Sequence, residues 1–333
     1  MRPSGTLGVG ALLAAGVMAG VAESRGLDYV ECEFNKADGV LLVTERASEG
    51  GLIRRAGERI AALQPDEESG FEEIGCGGTP TVGNTDRIVY RLTSEGITEA
   101  RLSLARGPLA PGRTDEGPTS EIETTVRPSP AVSAAELLVQ GGGASDHFRA
   151  GRLGTNVGVN LNVALESTDP DADVTVKRPR RVSLSFRTRT GDDTLSLSGG
   201  PEMTGPLNLR FAFVAPGAGA DVVRSRKAGV YAFGSDGADV IRLGKRSDAA
   251  EGGSGRDMIS TGRRRDLILP GPGRDVVDSG AGKDEILGAS GGIDVIDCGA
   301  GRDRVAAGPR DRLRECERVK DVPERPLVHF GFD

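Results

Sequence analysis

Aspartates recur at an almost constant spacing in the C-terminal part of the chain. Around Asp257 and Asp266, nine residues apart, an aliphatic residue stands two positions after each aspartate. Glycine usually stands two positions before the aspartate, as Gly255 does before Asp257. The series comprises Asp221, Asp239, Asp248, Asp257, Asp266, Asp275, Asp284, Asp294, Asp303 and Asp311, with Val230 where one more aspartate is due. This pattern places negative charge and glycine turns at regular points of a repetitive structure.

A nine-residue unit is long enough for one short strand and one turn. In "VVD", residues 276–278, the middle side chain points to the opposite face from its neighbours, so the regular aliphatic position predicts a core-facing residue. The other six residues form the turn, where glycine permits positive φ. Two units predict one coil of about 18 residues, with coils stacked about 4.8 Å apart and the aspartates in two ladders, one along each edge.

Stacked carboxylates repel one another unless a cation neutralises them. Calcium takes about 6 to 8 oxygen ligands from carboxylates and backbone carbonyls, which aspartates and glycine turns supply. A second interpretation is that basic residues replace the calcium. In it, the basic residue that precedes the aspartate in six repeats pairs with an aspartate of an adjacent coil, and the repeats bind little or no calcium. The six basic residues are Arg256, Arg265, Arg274, Lys283, Arg302 and Arg310.

One repeat, "GGSGRDMIS" at residues 252–260, matches the pattern G-G-x-G-x-D-x-U-x at every position. "PGPGRDVVD", "SGAGKDEIL" and "CGAGRDRVA" match at most positions. The chain therefore resembles the hemolysin-type, or repeats-in-toxin, calcium-binding repeat family. Its "CGGTPTVGNTD" and "DVIDCGAGRDRV" are similar to secreted actinobacterial members. The resemblance is clear over residues 217–313 and weaker over the rest of the mature chain.

The resemblance implies a parallel β-roll in which calcium sits between turns of the same edge, 18 residues apart. It implies as metal-binding residues Asp221, Asp239, Asp257, Asp266, Asp275, Asp284, Asp294 and Asp303, with carbonyls from the turns of Gly253, Gly255, Gly271, Gly273, Gly280 and Gly282. The third motif position often holds Asp or Asn in the family, whereas here it holds Ser254, Arg263 or Pro272 among others. We therefore expect fewer ions than turns, and weak sites of about 10⁻⁴ to 10⁻³ M.

Composition agrees with a thin, repetitive β structure. The 333 residues include 50 Gly, 9 Phe, 3 Tyr and no Trp. The net charge of −7 does not favour a nucleic-acid partner, because phosphate contacts need a basic surface. We predict an all-β chain: a C-terminal parallel β-roll or β-solenoid of nonapeptide repeats, preceded by a small β-rich N-terminal domain. Periodicity leaves "GLIRRAGERIAAL" open between helix and strand.

The predicted organisation follows shifts in composition along the chain. Residues 1–22 are predicted to be a secretory signal peptide, since one arginine precedes an apolar run too short for a membrane span. The remaining divisions are a β-rich domain over 27–106, a loop or linker over 107–130, degenerate repeats over 131–216, the calcium-binding repeats over 217–319 and a C-terminal cap or tail over 320–333.

Four cysteines in a chain with a predicted signal peptide indicate two disulfides and an extracellular location. Three pairings are possible. We expect Cys32 with Cys76 and Cys298 with Cys316, because each pair lies within one segment. The second pair is also one 18-residue coil apart, which suits the Cα separation of a disulfide.

The sequence favours a secreted, non-catalytic calcium-binding protein. Its only match to a nucleophile motif, "GASGG" at residues 288–292, lies inside the repeats, where Ser290 takes a turn position. The alternative function is a secreted glycan-active enzyme or adhesin that uses the repeats as a folding or export module. A contact with a cell wall or a polysaccharide is left open.

Overall fold

The computed structural model describes residues 30–46, 50–66, 70–106, 122–161, 172–177, 182–200, 203–288 and 291–321. These residues form an all-β structure without a helix, as the sequence predicts. In this part of the chain there is thus no helix with the length and hydropathy needed to cross a bilayer. The predicted signal peptide lies outside the described residues, as does most of the predicted C-terminal tail.

Thirty strands are present over the described residues. The first half comprises β1 Val30–Asn35, β2 Val40–Glu45, β3 Leu52–Ala56, β4 Arg59–Asp66, β5 Gly70–Ile74, β6 Arg87–Leu92, β7 Gly96–Ser103, β8 Glu123–Pro128, β9 Val132–Gln140, β10 His147–Leu153, β11 Asn156–Asn160, β12 Val174–Val176, β13 Val182–Arg187, β14 Thr194–Ser196 and β15 Gly205–Pro206. The second half comprises β16 Ala212–Ala215, β17 Val222–Arg224, β18 Val230–Gly237, β19 Val240–Arg242, β20 Ala249–Gly255, β21 Met258–Ser260, β22 Leu267–Leu269, β23 Val276–Asp278, β24 Ala281–Gly282, β25 Glu285–Ile286, β26 Val295–Asp297, β27 Ala300–Gly301, β28 Arg304–Ala307, β29 Arg312–Arg314 and β30 Arg318–Asp321.

Two long sheets contain almost all of these strands. The first sheet has the order β1-β2-β6-β8-β12-β11-β10-β14-β17-β19-β21-β23-β26-β29, with β15 paired to β10. The second has the order β30-β28-β25-β22-β20-β18-β16-β13-β9-β7-β3-β4-β5. From β16 onward, successive strands alternate between the two sheets, apart from the short β24 and β27, which pair with each other. We call one strand of each sheet, with its turns, a coil.

Parallel pairing between coils keeps equivalent residues in register. Met258 of β21 pairs with Val240 of β19 and with Val276 of β23, each 18 residues away. The same separation joins Ala249 of β20 to Leu267 of β22 in the second sheet. This translation by one coil is what stacks the repeated residues of the sequence directly on one another.

In the regular coils, the second residue of most strands buries its side chain between the two sheets. These residues are Val223, Ile241, Ile259, Val277 and Ile296 in the first sheet and Ala250, Ile268, Ile286 and Val305 in the second. Burying an aliphatic side chain of this size contributes about 1.5 to 3 kcal/mol, so a narrow core accumulates stability coil by coil. The prediction that the regular aliphatic position faces the core is confirmed.

The sequence "GLIRRAGERIAAL", which periodicity left open between helix and strand, forms two strands. Leu52–Ala56 and Arg59–Asp66 form an antiparallel hairpin that turns at Gly57, whose φ is +66°. The helical interpretation is therefore wrong. Ile60 packs in the main core whereas Leu63 packs in a second, smaller cluster on the other face. A strand that is apolar on both faces shows no alternation, which is why the pattern was ambiguous.

The segment predicted as a linker contains a strand. Glu123–Pro128 pairs in parallel with Arg87–Leu92, so the loop prediction over 107–130 is wrong at its C-terminal end, while residues 107–121 lie outside the described part. Three β-branched residues, Thr124, Thr125 and Val126, favour the strand, although the Pro and Gly residues around them suggest a loop. Both long sheets continue from the N-terminal strands into the repeats.

Both predicted disulfides are confirmed. Cys32 is bonded to Cys76, with 4.4 Å between their Cα atoms, and Cys298 to Cys316, with 5.1 Å. The second bond joins neighbouring coils near the C-terminal end of the first sheet, where Cys298 N donates to Arg314 O. It holds the last coil against the rest of the stack.

Candidate metal centre in the aspartate ladders

Hydrogen bonds between coils connect the repeated aspartates into two ladders. In each step, the backbone N–H of one residue donates to a side-chain carboxylate oxygen of the equivalent residue one coil further on. The first ladder runs through Asp146, Asp193, Asp221, Asp239, Asp257, Asp275, Asp294 and Asp311, with N···O distances of 2.6 to 3.0 Å. The second runs through Val230, Asp248, Asp266, Asp284, Asp303 and Glu317, with distances of 2.8 to 2.9 Å.

The strand that follows each aspartate determines its place in the ladder. The Asp257 N–H donates to Asp275 Oδ1 at 2.9 Å, and the Asp257 carbonyl accepts from the N–H of Val276 at 2.8 Å. Both the N–H and the carbonyl of the aspartate therefore form hydrogen bonds to the next coil, directly before the paired strands begin. The ladder therefore has the same register as the sheet, and a shift of one residue would break both.

The structure brings together every aspartate pair that the resemblance implies. Asp239 contacts Asp257, Asp257 contacts Asp275, and Asp266 contacts Asp284, each across 18 residues. The two pairs across 19 residues, Asp275 with Asp294 and Asp284 with Asp303, are joined in the same way. Both separations contain the same single inserted residue, which lies between Asp284 and Asp294.

Ten of the ladder carboxylates have a second oxygen without a hydrogen-bond partner in the described structure, whereas Oδ2 of Asp146 accepts the N–H of Gly142 and Oδ2 of Asp311 accepts that of Gly308. The unpartnered atoms are the Oδ2 atoms of Asp193, Asp221, Asp239, Asp248, Asp257, Asp266, Asp275, Asp284, Asp294 and Asp303. The side chains are buried, at 5% exposure or less. A buried carboxylate oxygen without a donor is costly when it is ionised, so a proton or a cation at each of these atoms would stabilise the fold.

Glycines make the room in which the carboxylates lie. At Gly252 a methyl group would meet the Oδ2 atom of Asp257, and at Gly234 it would meet that of Asp239. Near Gly282 the corresponding neighbour is Oδ1 of Asp284, which a methyl group would approach to 2.5 Å. The glycines of the repeat are therefore required by the proximity of the carboxylate as well as by backbone conformation.

The turns pack directly on one another. A side chain at Gly255 would overlap the carbonyl oxygen of Gly237, and one at Gly271 would overlap that of Gly253. The Ala281 N–H donates to the Gly262 carbonyl at 2.7 Å, and the Ala300 N–H donates to that of Gly280 at 2.8 Å. The glycine turns named as carbonyl donors are thus stacked as the sequence predicts, with some of their carbonyls already hydrogen-bonded between coils.

The carboxylates form rows rather than cages. Over the described residues, no group of three or more His, Cys, Asp or Glu side chains is arranged to hold a metal ion. A cation on a ladder would accordingly depend on one or two carboxylates together with backbone carbonyls. That mixture of charged and neutral oxygen donors suits calcium better than zinc or a transition metal.

Burial raises the pKa of the ladder carboxyls, and neighbouring carboxylates raise it further in most coils. The pKa rises to about 7 for Asp221, Asp248, Asp266 and Asp275, and to about 6 for Asp239, Asp284 and Asp294. The backbone hydrogen bond to each carboxylate opposes this effect. Without a cation, the ladders therefore hold protons near neutral pH.

The basic residues of the repeat do not neutralise the ladders. In the C-terminal coils the ion pairs are Arg265 with Glu285 at 3.6 Å, Arg314 with Asp297 at 3.5 Å and Arg314 with Glu315 at 3.3 Å. No ion pair within the described residues joins an arginine or lysine to a ladder aspartate. The interpretation in which these cations replace calcium by pairing with aspartates of adjacent coils does not match this geometry.

Charge and donor type thus fit a hard cation. Each regular coil has two buried carboxylates, one on each edge, whose second oxygen is unpartnered, and no ion pair of the described residues joins them to a basic side chain. The fit is limited by the turn-to-turn hydrogen bonds, which a cation would have to exchange for its own bonds to the carbonyls.

Several ladder members lie outside the predicted ligand set. Asp146 and Asp193, where the sequence shows the repeat only faintly, belong to the first ladder, in which Asp193 and Asp221 are 28 residues apart rather than 18. Asp248 belongs to the sequence series and occupies the second ladder. Glu317 takes the last position of that ladder only 14 residues after Asp303, where neither spacing nor residue type signals it. Ser290 of "GASGG" is outside the described residues, and its predicted turn position stays a prediction.

Comparisons of the chain with protein-family models, with curated proteins and with solved structures gave no match.

Proposed function

We propose that this chain is a secreted, non-catalytic calcium-binding protein of the hemolysin-type repeat family. In this proposal its nonapeptide repeats form a β-roll that binds calcium along the aspartate ladders. The observation that carries the proposal is the row of buried carboxylates, each with one unpartnered oxygen and no basic partner among the described residues.

The energetics of a buried carboxylate leave two ways to occupy such an oxygen. A proton can neutralise it, as the raised pKa values indicate, or a cation can bind it. Near neutral pH the two compete, because pKa values of about 6 to 7 leave a substantial ionised fraction. In a medium that contains about 1 mM calcium, a site of about 10⁻⁴ M is mostly occupied and one of about 10⁻³ M about half occupied.

Asp239, Asp257 and Asp275 would hold calcium along the first edge, with carbonyls of the turns around Gly253 and Gly271. Asp266, Asp284 and Asp303 would do so along the second edge, with the turns around Gly280 as carbonyl donors. Calcium would supply the positive charge that the ladder lacks. Because these aspartates converge only when the coils stack, binding would favour the folded state over the unfolded chain.

The extracellular location is supported by the two disulfides, which persist in oxidising compartments. It is also supported by the predicted signal peptide, which lies outside the described residues. Calcium is plentiful in the same surroundings, so the disulfides and the proposed ions would stabilise the protein together.

A second candidate is a structural coil that needs no ion. It is favoured by the direct stacking of the turns, in which the Gly262 and Gly280 carbonyls are already hydrogen-bonded. In that case the ladder aspartates serve as hydrogen-bond acceptors and carry protons on the other oxygen.

One experiment separates these candidates. The chain without residues 1–22, with its disulfides intact and treated with a chelator, is titrated with calcium by isothermal titration calorimetry, and with magnesium as control. Calcium binding at millimolar concentration or below, with a rise in the β signal by circular dichroism or in thermal stability, supports the proposal. A folded protein that shows no heat of binding and no stabilisation up to about 10 mM calcium refutes it and supports the ion-free coil.

A further inference from the structure

A basic groove opens beside the second ladder, near the C-terminal end of the second sheet. It has a volume of about 320 Å³. Its lining consists of Arg265, Lys283, Asp284, Glu285, Arg302 and Arg304. The four cations are exposed, whereas Asp284 is buried and has its carboxylate engaged by the N–H of Asp266.

The repeat itself builds this row of cations. Arg265, Lys283 and Arg302 each precede a ladder aspartate, on three successive coils of one edge. On the adjoining strands, Glu285 pairs in register with Arg304. Since coils stack about 4.8 Å apart, the row runs along the axis of the stack with a charge at each step.

Most of this positive charge is not compensated locally. Arg265 forms an ion pair with Glu285 at 3.6 Å. Lys283, Arg302 and Arg304 have no ion pair in the part of the chain that the structure describes. An excess of exposed cations on a chain with net charge −7 is a local feature that the overall charge does not explain.

We propose that this groove binds an acidic oligosaccharide, with its sugar carboxylates on the cationic row. Guanidinium groups form two parallel hydrogen bonds with a carboxylate, and the ammonium of Lys283 adds a third donor site. Glu285, which also lines the groove, can accept hydrogen bonds from hydroxyl groups, which a polyhydroxylated ligand offers. A linear chain with an acid group on each sugar suits a groove whose cations repeat coil by coil. The groove adjoins the proposed calcium ladder at Asp284, but the proposed sugar contacts are made by the exposed cations and by Glu285.

Nucleic acid fits the same groove less well. None of the described residues that line it is aromatic, so these residues offer bases no surface on which to stack. Glu285 would repel a phosphate backbone, and the acidic chain as a whole provides no long-range attraction for a polymer of such high charge density.

The test uses the disulfide-bonded chain without residues 1–22 at a fixed calcium concentration. Binding of tetragalacturonate is measured by calorimetry, with maltotetraose as the neutral control and a short single-stranded oligonucleotide as the phosphate control. A tetramer is too short to gel with calcium. We expect saturable binding of the uronate that weakens as salt is added, and no binding of the neutral sugar.

Two variants of equal charge locate the site. Arg302→Gln with Arg304→Gln removes two cations from the groove. Arg224→Gln with Arg242→Gln removes two exposed arginines that pair in register on the first sheet, outside the groove. The first variant is expected to weaken uronate binding about tenfold or more, equivalent to about 1.4 kcal/mol, and the second less than about twofold. Equal weakening in both variants, absence of uronate binding, or tighter binding of the oligonucleotide would each overturn the proposal.

Discussion

One carboxylate oxygen accepts a backbone hydrogen bond and the other is proposed to bind calcium. These two roles can be tested at Asp257, which lies in the middle of the first ladder. Its Oδ1 accepts the Asp239 N–H at 2.9 Å, its Oδ2 has no partner in the described structure, and its side chain is fully buried. Asp257→Asn keeps an acceptor and removes the charge. Asp257→Ala removes both. The two variants therefore separate the hydrogen bond from the charge at one position.

In chelator, Asp257→Ala leaves the Asp239 N–H buried without its acceptor, which costs about 1 to 3 kcal/mol of the free energy of unfolding. Asp257→Asn is expected to be at least as stable as the unsubstituted protein at pH 7, because it removes a desolvated charge and keeps the acceptor. In calcium, the unsubstituted protein is expected to become more stable than Asp257→Asn. At about 10 mM calcium, one site of 10⁻⁴ to 10⁻³ M stabilises the folded state by about 1.4 to 2.7 kcal/mol, and Asp257→Asn loses that gain.

The assay is equilibrium unfolding in guanidinium chloride, followed by circular dichroism, with disulfides intact and with either chelator or calcium present. If Asp257→Asn gains as much stability from calcium as the unsubstituted protein, Asp257 is not a ligand. If Asp257→Ala is as stable as Asp257→Asn in chelator, the hydrogen bond from Asp239 to Asp257 does not stabilise the coils.

Three other perturbations follow from the same structure. In chelator, the free energy of unfolding should be highest near pH 4 and decline up to about pH 7, because buried carboxyls with pKa values of about 6 to 7 keep protons that the unfolded chain has lost. Denaturation curves measured over this pH range test it, and a rise in stability with pH would contradict the raised pKa values. Replacing Cys298 and Cys316 together by alanine should cost about 3 kcal/mol, given the 18-residue separation, and loosen the last coils in hydrogen exchange; unchanged exchange there would show that the bond is dispensable. Gly255→Ala should lower the thermal midpoint strongly, since its φ is +142° and the new methyl group overlaps the Gly237 carbonyl, whereas Gly75→Ala, with open space around it, should change it little; equal effects would refute the close stacking of turns.

The regular part of the fold is predictable because a periodic sequence encodes a translation. Once Ile259 and Val277 are assigned to the core, the strand around each, the partner 18 residues away and the pairing of Asp257 with Asp275 all follow. The Cys298–Cys316 bond follows from the same step of one coil. Places where the period is interrupted were harder to predict. Asp193 and Asp221 are 28 residues apart and Asp303 and Glu317 only 14, so a period of 18 does not pair them.

The use of the carboxylates was less predictable than their position. Sequence reasoning assigns an aspartate ladder to cations, because oxygen ligands and negative charge are what a residue type reveals. It does not reveal that Oδ1 of Asp275 accepts the N–H of Asp257 while Oδ2 is left unpartnered. A carboxylate is an equally good acceptor for an amide and for calcium, so only the register of the backbone distinguishes the two uses.

Repulsion between neighbouring carboxylates exceeds what their hydrogen bonds return, so a fully ionised ladder without cations is unstable. Two carboxylates one coil apart, about 4.8 Å, repel each other by about 3 kcal/mol at an effective dielectric constant of about 20. One hydrogen bond from an amide to a carboxylate returns about 1.5 to 3 kcal/mol, which at best balances one such contact, and an interior aspartate such as Asp257 has two. Part of the ladder must therefore carry protons unless cations are bound, and its carboxyls titrate as a coupled set. Calcium that binds such a ladder displaces those protons. At about pH 6.5, calorimetry in buffers of different ionisation enthalpy should report proton release with each calcium bound, and Asp257→Asn should release fewer. Calcium binding without proton release would mean that the ions bind elsewhere than on the ladders.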